Sequence, residues 1–408
     1  MLVVAVMVGP GRYRPAIRRA TRETTAPAEL ARELASAKGR GAGTDAERRA
    51  AKRLARELWA HGREARVETL WVRPQWAAPY AAVAVGGIAA SVVSVDHART
   101  ALWIALASLV LLVLELAGAG VLRRLTRERA TQLVVSPARA AGRRVTLLVT
   151  ASTDAPRRGA LTGVPGAVRV VAWSLLGVAV FCALRSQDVD DDWLGPAQLV
   201  PTIGLVVAFG ALLDHAFAPP DPSPGAATGP AAALAVAAAL DARPPRRLAV
   251  EVVLCGAGAL GMAAHLQRLR RAGVSAEEVC VLHLGDCGSG PPRFWRREGL
   301  VVPLAAHPQL VALAQRLAAE ETHLQAAPTA SATTSPARVA RARRWPAIRL
   351  GTRRQGGELD PAALQATVEL AVGLVRRLDA ELGAAEPEPA RPASGPRRPK
   401  RLLARTRA

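Results

Sequence analysis

Five side chains suited to metal binding or nucleophilic chemistry lie close together in the third quarter of the chain: Cys255, His265, Cys280, His283 and Cys287. Thiolates and imidazoles bind zinc, but successive side chains of a strand point to opposite faces. Cys280 and His283 therefore cannot share a metal if one strand carries both. The four cysteines of the chain follow no CxxC spacing and lie in apolar runs, which disfavours a disulfide framework. The pattern predicts buried thiols and core histidines.

A glycine-rich turn, Gly256-Ala257-Gly258-Ala259-Leu260-Gly261, has the G-x-G-x-x-G spacing between an apolar run and a helical pattern. Such glycines let backbone amides approach a pyrophosphate at a helix N-terminus. Asp286 follows the next apolar run, but it lies about thirty residues after the first glycine instead of about twenty. Ala-Gly repeats also arise easily in an alanine-rich chain. A dinucleotide site therefore has only weak support.

Glu115 is the one acid inside a strongly apolar run from Ala101 to Leu122. An ionised carboxylate in hydrocarbon costs several kcal/mol, so this side chain is expected to be neutral, paired or turned toward a neighbouring helix. Two roles stay open. Glu115 either only fixes helix packing, or forms a proton- or ligand-responsive contact between membrane helices and a soluble domain, since it lies about two turns from Arg123 and Arg124.

The composition restricts the class of protein. The 408 residues are 50% hydrophobic, and 54 Lys plus Arg face 33 Asp plus Glu, for a formal charge of +21. So apolar a chain must bury a core, which excludes a disordered or fibrous protein. The excess of arginine suits nucleic acid or an anionic lipid surface, but the few aromatic residues are not interleaved with basic ones as base stacking requires. We therefore expect no nucleic-acid partner.

Four apolar runs favour a lipid bilayer as partner. Residues 76–95 and 101–122 form one pair joined by a tight turn, and residues 170–184 and 199–213 form a weaker second pair. The first two are long enough to cross about 30 Å of hydrocarbon. Arginines concentrate beside the outer ends of the four runs, whereas the two turns carry only Arg99 and Arg185. The positive-inside rule then predicts a multi-pass protein of the cell membrane with both termini and the soluble part in the cytoplasm.

The remaining chain alternates strand and helix patterns. Strands are predicted at residues 66–72, 132–135, 145–150, 248–254 and 279–284. Helices are predicted after the capping pair Thr44 and Glu47, at residues 231–240, 260–271 and 309–320, and from Asp360 onward. This alternation indicates an α/β fold: a mixed, mostly parallel sheet with helices on both faces, interrupted by two transmembrane helical hairpins. Residues 326–337 and the chain beyond Gly383 are predicted to be unstructured, and the basic tail is suited to anionic lipid.

The order of several short motifs resembles the zinc aminopeptidases of peptidase family 28, clan MH. The motifs are Gly41 to Glu47, Leu147 to Arg157, Ser223 to Ala226, Val253 to Ala257, Leu282 to Leu284 and Pro346 to Ile348. The resemblance covers roughly residues 27–75, 131–160 and 220–383. It implies a zinc-exopeptidase-like fold, normally with two zinc ions at the strand ends.

The resemblance also locates the family's site residues, and all its metal ligands are missing from this chain. The ligand His of A-H-x-D falls on Ser152, although the Asp of that motif is kept as Asp154. The bridging Asp either falls on Thr228 or is lost in a deletion after Ala226. The catalytic and ligand Glu of G-A-E-E fall on Gly258 and Ala259, and the ligand Asp after the next strand falls on Gly285, beside Asp286. The last ligand His is absent between Leu350 and Asp360. Asp154 and Asp286 are the candidates for a remnant pocket.

Zinc needs three or four converging donors, so the resemblance predicts a degenerate family member without zinc, cofactor or catalysis. We expect a multi-pass membrane protein whose cytoplasmic domain is a binding or scaffold module for an unknown protein or peptide. The alternative is an active membrane-bound metallopeptidase of the aminopeptidase type with a relocated zinc site. The expected divisions are residues 1–75, 123–168 and 219–383 for the peptidase-like domain, 76–122 and 169–218 for the hairpins, and 384–408 for the tail.

Overall fold

A nine-stranded mixed sheet forms the frame of the soluble part. The computed structural model describes residues 24–139, 145–161, 166–187, 189, 192–353 and 357–384. The strands are β1 (Arg66–Val72), β2 (Arg129–Ser136), β3 (Val145–Ser152), β4 (Leu248–Cys255), β5 (Val279–Leu284), β6 (Pro292–Glu298), β7 (Leu304–Ala305), β8 (Ala327–Ser331) and β9 (Ala347–Thr352). Their order is β1-β2-β4-β3-β5-β9-β6-β7, and β8 pairs with β6. The four central strands, β4, β3, β5 and β9, are parallel.

The helices are α1 (Pro27–Ser36), α2 (Asp45–Ala60), α3 (Ala77–Val93), α4 (Ala98–Leu116), α5 (Ala167–Arg185), α6 (Leu194–Phe217), α7 (Thr228–Ala242), α8 (Ala259–Arg271), α9 (Pro308–Glu320), α10 (Pro336–Ala342) and α11 (Pro361–Ala384). Alternate residues of each central strand face opposite layers. Leu254 of β4 joins the core under α1, α2, α7, α9 and α11, whereas its neighbour Val253 joins the core under α8 and α10. Helices therefore cover both faces of the sheet, as the sequence predicts.

The capping residues act as their types predict. The Glu47 N–H donates to Thr44 Oγ1 at 3.2 Å at the start of α2, and the Ala362 N–H donates to Asp360 Oδ1 at 2.9 Å at the start of α11. The Glu47 carboxylate departs from the capping-box pattern, because it accepts from the Gly43 N–H and the Thr131 hydroxyl.

Helices α3 to α6 pack into one four-helix bundle with its own apolar core. The hairpin α3–α4 is inserted between β1 and β2, and the hairpin α5–α6 between β3 and β4, so the bundle interrupts the sheet domain as expected. Many large apolar side chains point outward from the bundle, among them Trp103 and Val200, each 72% exposed. Tryptophans occur toward both ends of the bundle, as is typical of helices that meet two membrane–water interfaces.

Four helical segments of the described chain are long and apolar enough to cross a membrane: Ala98–Leu116, Ala167–Arg185, Leu194–Phe217 and Pro224–Ala242. The last comprises α7 and the turn before it, and it is largely buried against the sheet, where it packs as a core helix. Helix α3 has 17 residues, about 26 Å, and lies in the bundle beside the other three. Length and composition alone therefore do not separate the bundle from the core of the soluble part.

Polar side chains join the two hairpins at the end of the bundle that carries the turns. Gln198 of α6 donates to Ser91 Oγ and Ser94 Oγ of α3, both at 2.8 Å, and Ser91 Oγ lies 2.7 Å from Thr202 Oγ1. Such bonds between helices hold a bundle in register where no water competes for them.

The segment 326–337 is not unstructured, and that prediction is wrong. Ala327–Ser331 forms β8 parallel to β6, and Ser335 caps α10 by accepting from the Arg338 N–H at 3.2 Å. Small and polar residues carry no periodic apolar signal, so only the neighbouring strand specifies β8. The basic tail and the first 23 residues lie outside the described chain.

Candidate functional site

The positions that correspond to the family's site residues come together at one edge of the sheet. Ser152 ends β3, Gly258 and Ala259 follow β4, and Gly285 follows β5. Because these strands are parallel and adjacent, their carboxyl ends lie side by side. Thr228 joins them at the start of α7, where its hydroxyl accepts from the Cys287 N–H at 2.7 Å. The sheet topology therefore brings these four segments of the chain together at the carboxyl ends of β3, β4 and β5.

The turn after β4 leaves no room for an acid at position 258. Gly258 has φ +42°, a conformation that L side chains rarely adopt, and a Cβ there would lie 2.9 Å from Ser152 Oγ. Its N–H donates to Asp154 Oδ1 at 3.0 Å, so Asp154 occupies the N-terminal end of α8. Ala257 also has positive φ, at 52°. This tight turn depends on glycine, which agrees with the absence of a Glu at 258.

A buried arginine fills the space beside Gly285. A Cβ at position 285 would lie 2.9 Å from Arg349 Nε and 3.1 Å from Arg349 Nη2. Arg349 Nη1 lies 2.9 Å from Glu298 Oε1, and the guanidinium stacks 4.1 Å from the centroid of the Trp295 ring. The Ser335 hydroxyl donates to the second oxygen of Glu298 at 2.7 Å. A positive charge therefore lies where the family pattern places a metal-binding carboxylate.

The Thr228 hydroxyl forms hydrogen bonds with two backbone groups. Its hydroxyl donates to the Gly225 carbonyl at 2.6 Å while it accepts from the Cys287 N–H. It therefore fixes the turn before α7 against the loop after β5.

The remnant acid Asp154 belongs to a cluster of charged residues around Arg40. Glu47 and Arg40 act electrostatically on Asp154, and Asp221 and Asp286 act on Arg40. Burial, reinforced by the charge of Glu47, raises the pKa of Asp154 to about 7. Burial also raises the pKa of Glu47, against the effect of its hydrogen bonds to Thr131 and to backbone amides. The two acids therefore disfavour simultaneous ionisation.

Arg40 supplies the positive charge of this cluster. It is 2% exposed, its Nη2 donates to the Ala226 carbonyl at 3.0 Å, and its Nη1 has no hydrogen-bond partner among the described residues. Burial lowers the pKa of Arg40, although the nearby acids oppose this and the guanidinium stays charged. Sequence reasoning did not place Arg40 or Glu47 in the site. Glu47 carries only the signal of a capping residue, and Arg40 is one of many arginines.

Asp286, the second remnant candidate, lies at the same edge of the sheet. Its carbonyl accepts from the Thr352 N–H at 2.7 Å, which joins the loop after β5 to the end of β9. Its side chain is half-buried and raises the pKa of Arg40. The structure thus brings Asp154 and Asp286 into one charged cluster.

The cysteines and histidines do not form a metal centre in the described part of the chain, where no group of three or more His, Cys, Asp or Glu side chains could hold a metal ion. Cys280 lies in the larger core, whereas His283 faces the opposite layer with its Nδ1 3.3 Å from the Thr150 carbonyl. Burial and the charge of Arg349 lower the pKa of His283 to about 3. His265 Nε2 lies 3.5 Å from Glu251 Oε1. Burial lowers the pKa of His265 to about 4 and raises the pKa of Glu251 to about 7. All four cysteines are free and buried.

The glycine-rich turn serves packing. A Cβ at Gly256 would collide with Glu47 Oε1 and Thr131 Oγ1, and one at Gly261 would lie 2.5 Å from the Gly256 carbonyl. The N–H of Gly258, which a phosphate would need, is bound to Asp154. Close packing therefore accounts for the glycine spacing that resembles a dinucleotide motif.

Glu115, the acid of the apolar run, lies at the end of α4 near the soluble part. It is 3% exposed, and its Oε1 accepts from the Leu122 N–H at 2.5 Å and the Arg123 N–H at 3.1 Å. It thereby caps the short turn that leaves the bundle. This geometry agrees with the packing role.

No known protein family matches the sequence, and no curated protein does. Solved structures do resemble the fold. The glutaminyl cyclase of Fimbriiglobus ruber is similar with a TM-score of 0.51 and 12% identity, over 89% of this chain and 99% of that one. A Zn-dependent exopeptidase from Parabacteroides distasonis is less similar, with a TM-score of 0.48 and 11% identity over 88% of this chain and 99% of that one. A leucine aminopeptidase precursor from Bacteroides thetaiotaomicron has a TM-score of 0.47 and 12% identity over 88% of this chain and 98% of that one.

At such identities the similarity concerns the fold alone. The fold therefore resembles that of the Fimbriiglobus ruber glutaminyl cyclase, and the mixed, mostly parallel sheet between helices confirms the expected α/β fold class. Membership of peptidase family 28 itself stays a prediction.

Proposed function

We propose that the protein is a membrane-embedded relative of the zinc exopeptidases whose soluble domain binds a protein or peptide partner and catalyses no reaction. The observation that carries this proposal is the Arg349 guanidinium beside Gly285. A buried positive charge at a ligand position repels a divalent cation, and it is itself neutralised by Glu298.

The other ligand positions support the same conclusion. Ser152 and Thr228 offer neutral hydroxyls, Ala259 offers a methyl group, and the backbone at Gly258 disfavours any side chain. Zinc sites use three or four His, Cys, Asp or Glu donors. The donor set at this edge of the sheet does not fit zinc, so we derive no metal-dependent step for it.

The buried charges favour a structural use of the former site. Asp154 caps α8, Arg40 binds the turn before α7, and Arg349 joins β9 to β6. These bonds hold the strand ends together without a metal ion. The domain can then present a rigid surface to a partner.

We further propose that the bundle lies in the cell membrane and that the soluble domain and both termini are cytoplasmic. The support is the distribution of arginines, which concentrate where the bundle joins the sheet.

Elemental analysis and activity assays of the full chain, purified in detergent, test the proposal. We expect well under one zinc per chain, no release of amino acids from aminoacyl substrates, and no cyclisation of glutaminyl peptides. Tightly held zinc at about one ion per chain would contradict the proposal and favour the metallopeptidase with a relocated site. Gly258→Glu is expected to restore neither zinc nor activity, because one carboxylate on a strained backbone cannot hold a metal alone.

A further inference from the structure

Eight arginines surround the end of the bundle that adjoins the sheet. This arginine rim consists of Arg73, Arg123, Arg124, Arg127, Arg129, Arg157, Arg158 and Arg169. All eight lie within about thirteen residues of a bundle helix end: six lie in the segments that connect the bundle helices to the strands, Arg129 begins β2, and Arg169 lies in the first turn of α5. A rim at this level lies where the headgroups of one leaflet would be.

Several rim arginines already have protein partners. Arg157 Nη1 donates to the Ala216 and Ala218 carbonyls at 3.1 and 2.8 Å and so caps α6. Arg158 lies 3.4 Å from Asp221, and Arg73 lies 3.9 Å from Glu128. These bonds fasten the bundle to the sheet domain and neutralise part of the rim.

Arg124 and Arg127 differ from these neighbours. Both are exposed, and neither has an ion pair or side-chain hydrogen bond among the described residues. Leu125 lies between them with 84% of its surface exposed, although its segment directly follows the bundle. Exposed cations around an exposed leucine are typical of a segment that lies in a membrane interface.

Other exposed apolar side chains belong to the same end of the molecule. Phe217, the last residue of α6, is 82% exposed, and Trp71, near the end of β1, is 68% exposed. The α6 end also borders a shallow cavity of about 460 Å³ lined by Arg158, Leu213 and Phe217 among others. Apolar and cationic groups thus alternate around the base of the bundle.

We propose that Arg124 and Arg127 bind the phosphate groups of anionic phospholipids in the leaflet adjoining the soluble domain, with Leu125 inserted at the acyl boundary. Charge complementarity carries this proposal, because the two arginines have no internal acid to neutralise them. The contact orients the sheet domain against the membrane surface. The basic tail, a separate candidate for lipid contact, lies outside the described residues.

Thermal unfolding of the full chain in detergent, with added lipid, tests the proposal. Phosphatidylglycerol is titrated against wild type and Arg124→Gln/Arg127→Gln, and phosphatidylcholine and inorganic phosphate are titrated as separate arms. The matched control is Arg56→Gln/Arg66→Gln, which removes the same charge from exposed arginines near the end of β1 that lies about 20 Å from the bundle. All variants keep the tail, so its contribution cancels.

We expect phosphatidylglycerol to stabilise wild type and the control at similar concentrations. The half-saturating concentration should rise about fivefold for each rim arginine removed. Equal stabilisation by phosphatidylcholine, an equal change in the control, or the same stabilisation by inorganic phosphate would overturn the proposal. If the double variant does not fold, the single variants Arg124→Gln and Arg127→Gln decide: each must raise the half-saturating concentration of phosphatidylglycerol about fivefold, and an unchanged concentration in both refutes the contact.

Discussion

Removing the charge of Glu298 tests whether Arg349 is held as a buried cation beside Gly285, a predicted ligand position. Both side chains are almost fully buried, at 6% and 7% exposure, with 2.9 Å between Arg349 Nη1 and Glu298 Oε1. Glu298→Gln keeps the shape but leaves the guanidinium unneutralised. Breaking a buried ion pair from one side costs about 3 to 5 kcal/mol, and Trp295 compensates only part of this through its ring face.

The lower limit of about 3 kcal/mol corresponds to a fall in Tm of roughly 6 to 12 °C for a domain of this size. Intrinsic tryptophan fluorescence measures it directly, since Trp295 and Trp345 are buried in the soluble part. The matched control is Glu320→Gln, which breaks an exposed ion pair with Arg377 and should leave Tm within about 2 °C.

The double variant Glu298→Gln/Arg349→Met removes both charges and should regain at least half of the lost Tm, because an apolar side chain of similar length needs no partner. The reasoning is refuted if Glu298→Gln lowers Tm no more than Glu320→Gln does. It is also refuted if the double variant is less stable than the single one.

Three further outcomes follow from the structure. Burial and the neighbouring Glu47 raise the pKa of Asp154 to about 7. Between about pH 4 and 7 the folded protein therefore keeps a proton that the unfolded chain releases. The free energy of unfolding contributed by Asp154 falls as pH rises through that window. Asp154→Asn does not titrate, so its Tm should improve relative to wild type from pH 5 to pH 8, whereas a difference independent of pH would contradict the assignment. Glu115→Gln keeps an acceptor for the two amides and should change Tm by less than about 2 °C at pH 5 and pH 8, whereas Glu115→Leu leaves both amides without a partner and should cost about 1 to 3 kcal/mol. To test the orientation, impermeant thiol reagents should label Asp96→Cys and Asp192→Cys on intact cells but not Arg66→Cys. The background labelling should be low because the native thiols are buried. Labelling of Arg66→Cys alone would show that the soluble part lies outside the cell.

Local patterns of apolar and β-branched residues predict much of the fold. The runs at Arg66–Val72, Val145–Ser152 and Val279–Leu284 are apolar and β-branched and become strands at or within two residues of the expected bounds. The paired apolar runs between them predict the helices of the bundle, although α6 extends beyond the expected 199–213. Short β-branched and apolar runs are sufficient to predict these strands, although β5 is buried on both faces and β1 buries only Leu70.

The candidate site was predictable only in part. The sequence, through its family resemblance, predicts altered ligand positions at Ser152, Gly258 and Gly285, and these three positions lie at one edge of the sheet. It could not show that Arg349 lies beside Gly285, since those residues are on different strands, nor that Arg40 and Glu47 surround Asp154. Contacts between residues so far apart along the chain leave no periodic signal.

The amino-acid pattern alone was thus enough to predict the class of elements and the insertion of two apolar hairpins into an α/β chain, whereas the loss of the family's ligand types stays a prediction. The contacts between distant segments became clear only from the fold. It assigned Pro224–Ala242 to the core, and it converted the low-signal segment at 327–331 into a strand beside β6. It also showed what lies at the predicted ligand positions: a strained glycine turn, a capping aspartate and a buried Arg349–Glu298 pair. The physical reason is that hydropathy and capping act over a few neighbouring residues, whereas burial, charge pairing and edge pairing depend on which distant strands the fold brings together.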